Sequence, residues 1–154
     1  MIMGCVTEPE GHLIIPDKLD QYEVTRIGEA AFYHYADLTG VTLPQSVTFI
    51  ADGAFANSGL TSVSIPGSVT VICYGTFMWC EDLTRVTIPE GVTRIEMDAF
   101  HMCASLTRVT VPGSVTRIVG GAFDGCDIVT LIVTEGSFAE QYAQEKGIAF
   151  AYAE

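Results

Sequence analysis

The sequence predicts a repeat solenoid made mainly of short β-strands and turns, closed at its C-terminal end by a helix and a strand. The first observation behind this fold class is a duplication. Residues 83–100 recur as residues 106–123, shifted by 23 positions, with only six of the eighteen residues changed. The second is a regular recurrence of apolar residues. Its clearest markers are five phenylalanines, spaced 23, 22, 23 and 23 residues apart: Phe32, Phe55, Phe77, Phe100 and Phe123.

The composition is that of one folded domain. The chain has 154 residues, of which 49% are hydrophobic and 17% charged, so it has enough apolar side chains for a core and is too apolar to be disordered. A net charge of −12 argues against nucleic acid and anionic membrane surfaces as partners. No apolar run approaches the ~20 residues of a membrane span, and residues 1–11 lack the basic start and apolar stretch of a signal peptide.

Each repeat unit contains two short extended segments and a turn, with the consensus L-T-x-V-x-I-P-x-S-V-T-x-I-x-x-x-A-F-x-x-C. Residues 60–65 (LTSVSI) alternate apolar and polar side chains, as a half-buried strand does. Pro66 ends this strand because proline cannot donate to a ladder. Residues 68–72 (SVTVI) form the second segment, with Val69 and Ile72 directed inward. The stretch that ends in alanine and phenylalanine is too short for a full helix and is predicted to be a turn.

Stacking of the units is predicted from their size. One unit buries too few apolar side chains to offset the entropy of ordering its backbone. Copies stacked ~4.8 Å apart pair each strand with its equivalent and place each phenylalanine on the next. The phenylalanines therefore predict about five coils, with Phe100 almost fully buried between Phe77 and Phe123.

The N-terminal residues 1–36 are predicted to be an irregular repeat that caps the core. They keep the Ile-Pro and Val-Thr-x-Ile elements, but Pro16 and Val24 are eight residues apart, whereas Pro44 and Val47 are three apart. Residues 37–133 hold the regular repeats of 22–23 residues, and residues 134–154 form a second cap. The chain is thus interpreted as a single domain, 1–154, and its two caps favour a complete small module.

The C-terminal cap is predicted to contain a helix and a last strand. Ser137 and Glu140 have the spacing of a capping box, Phe138 and Tyr142 share a helix face, and Gly147 is a suitable stop. Residues 148–152 (IAFAY) then alternate as a strand does.

The unit resembles the BspA-like, or Treponema-type, leucine-rich repeat, whose pattern is close to LTSVTIPxSVTxIGxxAFxxC. The similarity extends over residues 13–133. It implies a leucine-rich-repeat right-handed superhelix, and a bacterial surface or secreted protein that binds host proteins or other cells. The resemblance therefore implies an extracellular or cell-surface location, while the missing signal peptide leaves the cytoplasm open.

Three of the five cysteines occupy one repeat position, three residues after the phenylalanine. Cys80, Cys103 and Cys126 are interpreted as a column of small buried thiols. A zinc site would recruit His101 beside Cys103, but zinc ligands usually come in closely spaced pairs, and these cysteines are spread one per coil. Disulfide bonding or oxidation of the thiols is a third interpretation. Because the sulfurs should point the same way into the core, we expect five free thiols.

No catalytic motif is present in the sequence. It lacks a nucleophile elbow, a phosphate loop and an HExxH motif, and its three histidines occupy unrelated repeat positions. We therefore expect a protein that is not an enzyme, with no catalytic residues, no cofactor and no metal.

The arginines recur at two repeat positions. Arg85 and Arg108 share one position in the first strand and should stand side by side on an exposed sheet face. Arg26, Arg94 and Arg117 share another position, in the second extended segment. A charged face of this kind either discourages aggregation or contacts a partner that carries carboxylates.

Large side chains follow the phenylalanine in several coils. If the phenylalanine and the cysteine of a coil face inward, the two residues between them face outward, unless the side chain of Trp79 folds back over the core edge. Aromatic residues, methionine and arginine are enriched at interface cores. The candidate binding residues are Met78 and Trp79, His101 and Met102 one coil further on, and the strand residues Arg85 and Arg108.

The sequence thus favours a non-catalytic protein–protein interaction module with a rigid preformed surface. The resemblance implies that this module is an adhesion-type binder of a host or cell-surface protein. The alternative is a structural spacer or self-assembly unit that stacks end to end without a specific ligand. We expect a monomer or weak self-association, no nucleic acid as a partner and no insertion into a membrane.

Overall fold

The computed structural model describes residues 1–5, 7 and 9–153. The chain winds as a parallel β-solenoid of about six turns with a helix near its C-terminal end, so the predicted fold class is confirmed. The elements in chain order are β1 (Gly11–Ile14), β2 (Lys18–Leu19), β3 (Tyr22–Glu23), β4 (Arg26–Ile27), β5 (Leu38–Thr42), β6 (Phe49–Ile50), β7 (Ser62–Ser64), β8 (Val71–Ile72), β9 (Arg85–Thr87), β10 (Arg94–Ile95), β11 (Arg108–Thr110), β12 (Arg117–Ile118), β13 (Thr130–Val133), α1 (Phe138–Lys146) and β14 (Ala149–Tyr152).

The first sheet runs the whole length of the solenoid. Its strands are parallel and follow the order β1-β5-β7-β9-β11-β13-β14. Equivalent residues pair in register: Val86 lies between Val63 and Val109, and all three valines are buried while their strand neighbours face solvent. The sheet has two strands more than the five coils predicted from the phenylalanines, because β13 and β14 continue the ladder beyond the last phenylalanine turn.

The second extended segments pair more briefly. β8, β10 and β12 form one parallel ladder, and β4 pairs with β6. Ile72, Ile95 and Ile118 point into the core from this ladder, so the residue that precedes each isoleucine lies on the outer side. Helix α1 packs against β12 and covers the C-terminal end of the ladder.

A stack of aromatic rings fills the core along the solenoid axis. Phe100 is fully buried, and its ring centroid lies 5.5 Å from that of Phe77 and 5.2 Å from that of Phe123. The rings are nearly parallel, with interplanar angles of 8° and 12°. Phe32 and Phe55 extend the stack toward the N-terminus. The predicted burial of Phe100 between its two neighbours is confirmed.

Threonines tie adjacent coils together from the solvent side. Thr84 donates both its N–H (2.9 Å) and its hydroxyl (3.0 Å) to the carbonyl of Thr61, and Thr107 makes the same pair of bonds to Thr84. Thr93 and Thr116 repeat the arrangement in the second segments. These threonines are exposed, so the recurrence of threonine in the unit is explained by the bonds and not by burial.

The turns also bond from coil to coil. The N–H of Phe77 donates to the carbonyl of Ala99 at 2.9 Å, and the N–H of Trp79 donates to the carbonyl of His101 at 2.8 Å. The bend itself requires a left-handed residue two positions after the phenylalanine. The residues at this position, with their φ angles, are His34 (66°), Asn57 (54°), Trp79 (63°), Met102 (59°) and Gly125 (78°).

The longer N-terminal connection folds as a small hairpin. β2 and β3 pair antiparallel around Asp20, whose φ of 56° makes the bend. Leu19 and Tyr22 of the hairpin are exposed, so the additional residues lie outside the core. At the same end, Ile2 forms a parallel bridge with Ile27 and packs against the core.

The helix predicted in the C-terminal cap is present, but one hydrogen bond at its N-terminal end differs from that of a capping box. The hydroxyl of Ser137 accepts a hydrogen bond from the N–H of Glu140 at 3.3 Å, and Gly147 ends the helix with a φ of 68°. The carboxylate of Glu140 accepts from the N–H of Gly136 at 2.6 Å, one residue before the partner that a capping box would use.

One face of helix α1 covers the C-terminal end of the aromatic stack. Tyr142 is buried, and its ring centroid lies 6.3 Å from that of Phe123. Phe138, one turn earlier, is exposed, so the face predicted to be shared by Phe138 and Tyr142 is only partly buried. β14 pairs in parallel with β13, as predicted for the last strand. The nine-residue α1 is too short to cross a membrane, and no other helix of the described chain is long and apolar enough to do so.

Replacing Phe100 with alanine should lower the free energy of unfolding by ~3–5 kcal/mol, because the change leaves a ring-sized cavity between two stacked rings. Urea unfolding followed by circular dichroism measures the loss. Tyr33→Ala removes an exposed aromatic ring from the equivalent turn of another coil and should change the free energy by less than ~0.5 kcal/mol. A loss below ~1 kcal/mol for Phe100→Ala would contradict the role of the ring stack.

Candidate interaction surfaces

The candidate residues that follow the phenylalanines lie together on two adjacent turns. This surface is here called the loop edge and consists of Met78, Trp79, His101 and Met102. Trp79 is 41% exposed, and the other three residues are partly buried. The ring of Trp79 meets the ring of His101 edge-on, with a centroid distance of 5.9 Å and an interplanar angle of 78°. Trp79 therefore presents aromatic surface to solvent while its ring is supported by the next coil.

Two residues of the loop edge, Trp79 and Met102, adopt the left-handed backbone conformation. This conformation costs a residue other than glycine ~1–2 kcal/mol, and asparagine tolerates it better than most. Asn57 occupies the position of Trp79 one coil earlier. Met102 lies over Gly125 of the next coil, where an added Cβ would collide with its sulfur. Part of the Met102 side chain is thus already covered.

Carboxylates border the loop edge. Trp79 lines a shallow hollow of about 130 Å³ together with Asn57, Glu81 and Asp82. A partner that docks onto Trp79 therefore meets negative charge next to an aromatic ring.

The arginines of the first sheet stand side by side. Arg85 on β9 pairs in register with Arg108 on β11, and both are exposed. Like charges directly opposite each other on neighbouring strands are unfavourable. Among the residues that the structure describes, no salt bridge joins either arginine to a carboxylate. Thr87 and Thr110, the next outward pair, are small, so both guanidinium groups are accessible to an anion.

The arginines and the loop edge do not form one site. Arg85 lines a hollow of about 300 Å³ with Ser62, and Arg108 lines a hollow of about 750 Å³ that reaches Ile132 and Tyr152 at the C-terminal end of the sheet. Neither hollow includes a residue of the loop edge.

A third surface, which was not expected from the sequence, lies on the outer side of the second extended segments. It is a groove of about 440 Å³, here called the flank groove. The residues along each side of the groove occupy the same position in successive repeat units, so the groove runs along the solenoid axis. One wall consists of Phe49, Val71 and Arg94, the floor includes Cys73, Glu96 and Val119, and the other wall consists of Asp52, Tyr74 and Met97.

Arginines flank the apolar part of this groove. The guanidinium carbon of Arg26 lies 4.3 Å from the centroid of the Phe49 ring, a cation–π contact. One nitrogen of Arg94 lies 3.3 Å from a carboxylate oxygen of Glu96. Arg117 follows Arg94 in register on the next strand. The row of residues that forms this wall therefore continues into arginines on both sides of Phe49 and Val71, while the lining of the groove itself holds one arginine, Arg94, and two carboxylates, Asp52 and Glu96.

A signal for the flank groove is present in the sequence. The position before the isoleucine of the second segment is arginine in three coils, Arg26, Arg94 and Arg117, but Phe49 and Val71 in the two coils between them. This change creates an apolar patch only when the coils are stacked in register. No single unit contains it, and for that reason a search for motifs within the unit does not find it.

The cysteine column is buried, as predicted. Cys80, Cys103 and Cys126 each donate a thiol hydrogen bond, at 3.0–3.1 Å, to the carbonyl of a phenylalanine one coil earlier. All five cysteines are free thiols. Among the described residues, no group of three or more histidine, cysteine, aspartate or glutamate side chains is placed to hold a metal ion.

Three of the buried thiols, those of Cys73, Cys80 and Cys103, stay protonated at neutral pH. Burial raises the pKa of Cys80, and the hydrogen bond with Cys126 together with burial raises the pKa of Cys103. At the floor of the flank groove, burial and the nearby carboxylates raise the pKa of Cys73 to about 11. Protonated thiols are poor nucleophiles and poor metal ligands, so these three cysteines serve packing.

Comparison with known proteins decides the family. Residues 13–135 match six copies of the BspA type leucine-rich repeat region. The chain belongs to this family. BspA-type leucine-rich repeats are generally non-catalytic, and the family points to a protein-interaction module. No curated protein matches the chain closely enough to count as a relative.

Solved structures of bacterial leucine-rich repeat proteins are similar to this one. A leucine-rich cell surface protein from Faecalibacterium prausnitzii is 35% identical, with a TM-score of 0.76, over 86% of this chain and 34% of its own length. The leucine-rich repeat protein of Treponema pallidum is 29% identical, with a TM-score of 0.74, over 78% of this chain and 57% of its own. The pneumococcal vaccine antigen PcpA, at 22% identity and a TM-score of 0.64 over 84% of this chain and 41% of its own, shares the fold. The BspA-type chain thus spans less than two thirds of each of these proteins.

Thiol titration should find five free cysteines in protein that is unfolded under protection from oxidation. In the native protein the reagent should modify Cys5, which is only partly buried, much faster than the buried column. Three or fewer titratable thiols in the unfolded protein would contradict the assignment of free, structural cysteines.

The free energy of unfolding should fall as the pH rises above about 9. The pKa of Cys73 is 9.0 when the thiol is exposed and about 11 in the folded chain, so the native state holds this proton more tightly and loses stability once the unfolded state releases it. Denaturant unfolding at a series of alkaline pH values measures the decline. Cys73→Ala removes this contribution and should show a shallower decline; an unchanged slope would contradict the raised pKa.

Proposed function

We propose that this chain is the binding module of an adhesion-type protein, secreted or held at a bacterial surface, which recognises a host or cell-surface protein without catalysis. Its membership of the BspA-type family and its likeness to a leucine-rich cell surface protein support this. An extracellular or cell-surface location is part of the same proposal.

The observation that carries the proposal is an exposed aromatic side chain in fixed geometry. Trp79 is 41% exposed, its N–H is bonded to the next coil at 2.8 Å, and its ring is supported by His101. A side chain that is already ordered loses little freedom on binding, and a tryptophan can bury ~200 Å² of surface. The loop edge is therefore the energetic centre of the proposed interface, and Met78 and Met102 extend its apolar surface.

The arginine pair has a different role in this proposal. Arg85 and Arg108 are exposed, without a salt bridge in the described part of the chain, on a molecule of net charge −12. Charges of this kind steer the approach of a partner more than they hold it in place. The partner would carry carboxylates where it faces the first sheet.

A structural spacer that stacks end to end is the second candidate, and the open edges of the first sheet favour it. Among the described residues, β1 and β14 are the terminal strands of that sheet, and each pairs on one side only. Ile14 on β1 is exposed. An unpaired edge can continue into the sheet of a second copy.

Replacing Trp79 with asparagine should weaken binding to a cell-surface protein about tenfold, mainly through faster dissociation, because the change removes the anchor of the interface. Asparagine is chosen because Asn57 holds the same left-handed position, so the fold is retained. Arg85→Gln/Arg108→Gln should instead slow association at low salt and leave dissociation nearly unchanged. Surface plasmon resonance separates the two rates, on a partner recovered by cross-linking from intact cells.

Two outcomes would contradict parts of the proposal. An unchanged dissociation rate for Trp79→Asn would remove the loop edge from the interface. Oligomers that grow with protein concentration, together with no recoverable partner, would favour the spacer. Circular dichroism of each variant establishes that the fold is intact.

A further inference from the structure

We propose that the hollow beside Trp79, here called the notch, receives an arginine side chain of the protein that docks on the loop edge. This inference rests on the proposed function and names the chemistry of the partner at that surface. Three features of the described residues support it: a one-residue deletion that opens the notch, the exposed indole ring on its wall, and two carboxylates without a basic partner.

A deletion in one repeat unit opens the notch. Leu60 follows Phe55 by five residues, whereas the equivalent interval is six residues in each of the other four coils, and this accounts for the single 22-residue step between phenylalanines. The shortened turn lies close against the coil before it. The N–H of Gly59 donates to the carbonyl of Tyr35 at 3.1 Å, and a Cβ on Gly59 would collide with the carbonyl oxygen of Ala36. The surface is therefore recessed at this coil, between two coils with a full-length turn.

The notch has room for the head of one side chain. Its volume is about 130 Å³, whereas pockets that enclose a small-molecule ligand measure ~300–1,000 Å³. An occupant of this size is held mainly by the larger molecule that carries it. The volume therefore favours a side chain that projects from a protein partner.

Charge complementarity selects a basic side chain. Glu81 and Asp82 are exposed, and the lining of the notch contains neither lysine nor arginine. Within the described part of the chain, no salt bridge joins either carboxylate to a base. The net charge of −12 adds to the local negative potential. A cation that enters the notch therefore relieves the repulsion between two neighbouring acids.

The indole ring favours a guanidinium group over an ammonium group. His101 lies one coil after Trp79, whereas the notch extends over the two coils before it, so the two features border Trp79 from opposite sides along the solenoid axis. Tryptophan is the strongest aromatic partner of a cation. A planar guanidinium group stacks on such a ring and at the same time donates several hydrogen bonds to carboxylates, which an ammonium group cannot do. The occupant that fits is therefore arginine.

The notch and the arginine pair of the first sheet carry opposite charges. The notch attracts a base through Glu81 and Asp82, while Arg85 and Arg108 attract acids on a different surface. A partner that extends over both surfaces would need basic and acidic groups in matching places. The two surfaces together would thus favour one orientation of the partner over the reverse.

Tryptophan fluorescence tests the notch directly, because Trp79 is the only tryptophan of the chain. The probe is Nα-acetylarginine amide, titrated into the full chain, with N-acetyltryptophan amide as the reference for effects on a free indole ring. We expect a saturable change in emission, with half-saturation between ~1 and ~20 mM. Nα-acetylcitrulline amide has nearly the same shape without the charge and should give no saturable change. Nα-acetyllysine amide should bind about threefold or more weakly than the arginine probe.

Matched protein variants locate the binding. Glu81→Gln/Asp82→Asn removes both charges of the notch, keeps the fluorescent ring and should weaken binding of the arginine probe about fivefold or more. Asp124→Asn/Asp127→Asn removes two exposed carboxylates two coils further on, so the net charge changes by the same amount. That distance is ~10 Å, beyond the screening length of ~8 Å at physiological salt, and binding should stay within about twofold of the unmodified chain. Circular dichroism checks that both variants are folded.

Three results would overturn the proposal: equal responses to the arginine and citrulline probes, equal losses in the two double variants, or no saturable change up to ~100 mM arginine probe. Equally tight binding of the lysine probe would overturn the choice of a guanidinium group.

The inference and the proposed function fail separately. If the arginine titration fails while Trp79→Asn still accelerates dissociation of the recovered partner, the loop edge remains the interface and the assigned arginine is wrong. If Trp79→Asn leaves that dissociation rate unchanged, the loop edge is not the interface, and the partner is then not the source of an arginine for the notch.

Discussion

The phenylalanine rings of successive coils stack at centroid distances of 5.2–5.7 Å, and this contact sets the register of the whole solenoid. Strands in a sheet are ~4.8 Å apart, so rings on the same position of each unit meet only if no coil is shifted along its neighbour. Once the rings are aligned, the thiols, the valines and the threonine bonds are aligned as well. A unit that lost its ring would weaken both neighbours, because each coil is stabilised mainly by the coils beside it.

Alignment also turns every outward position of the unit into a row on the surface. Where a row keeps to the consensus, it is small and polar, as at Thr87 and Thr110. Where one coil departs from the consensus, a local feature appears: Trp79 follows Asn57 on the loop edge, and Val71 precedes Arg94 on the flank. The chemistry proposed for binding therefore resides in a few departures from the repeat, while the repeat itself supplies rigidity.

The sequence predicts what a single unit contains and misses what only neighbouring coils create. The phenylalanine spacing is sufficient to predict the core around Phe100, and Ser137 and Gly147 are sufficient to predict both ends of α1, because these signals are local. The exposure of Trp79 follows from its place in the unit, but its support by His101 comes from the next coil. The same holds for the flank groove, and for the bond from Gly136 to Glu140, which depends on how the chain leaves β13.

The direction of the coil-to-coil hydrogen bonds has a mechanical consequence. The strand ladders, the threonine bonds and the turn bonds all point along the solenoid axis. Under tension between the two ends, the bonds of an end coil can break while the remaining coils stay folded. The coils therefore detach one at a time. Each repeat of 23 residues releases up to about 80 Å of extended chain when it detaches. A protein built in this way should lengthen in regular steps under tension. Each step dissipates mechanical energy before the whole core unfolds.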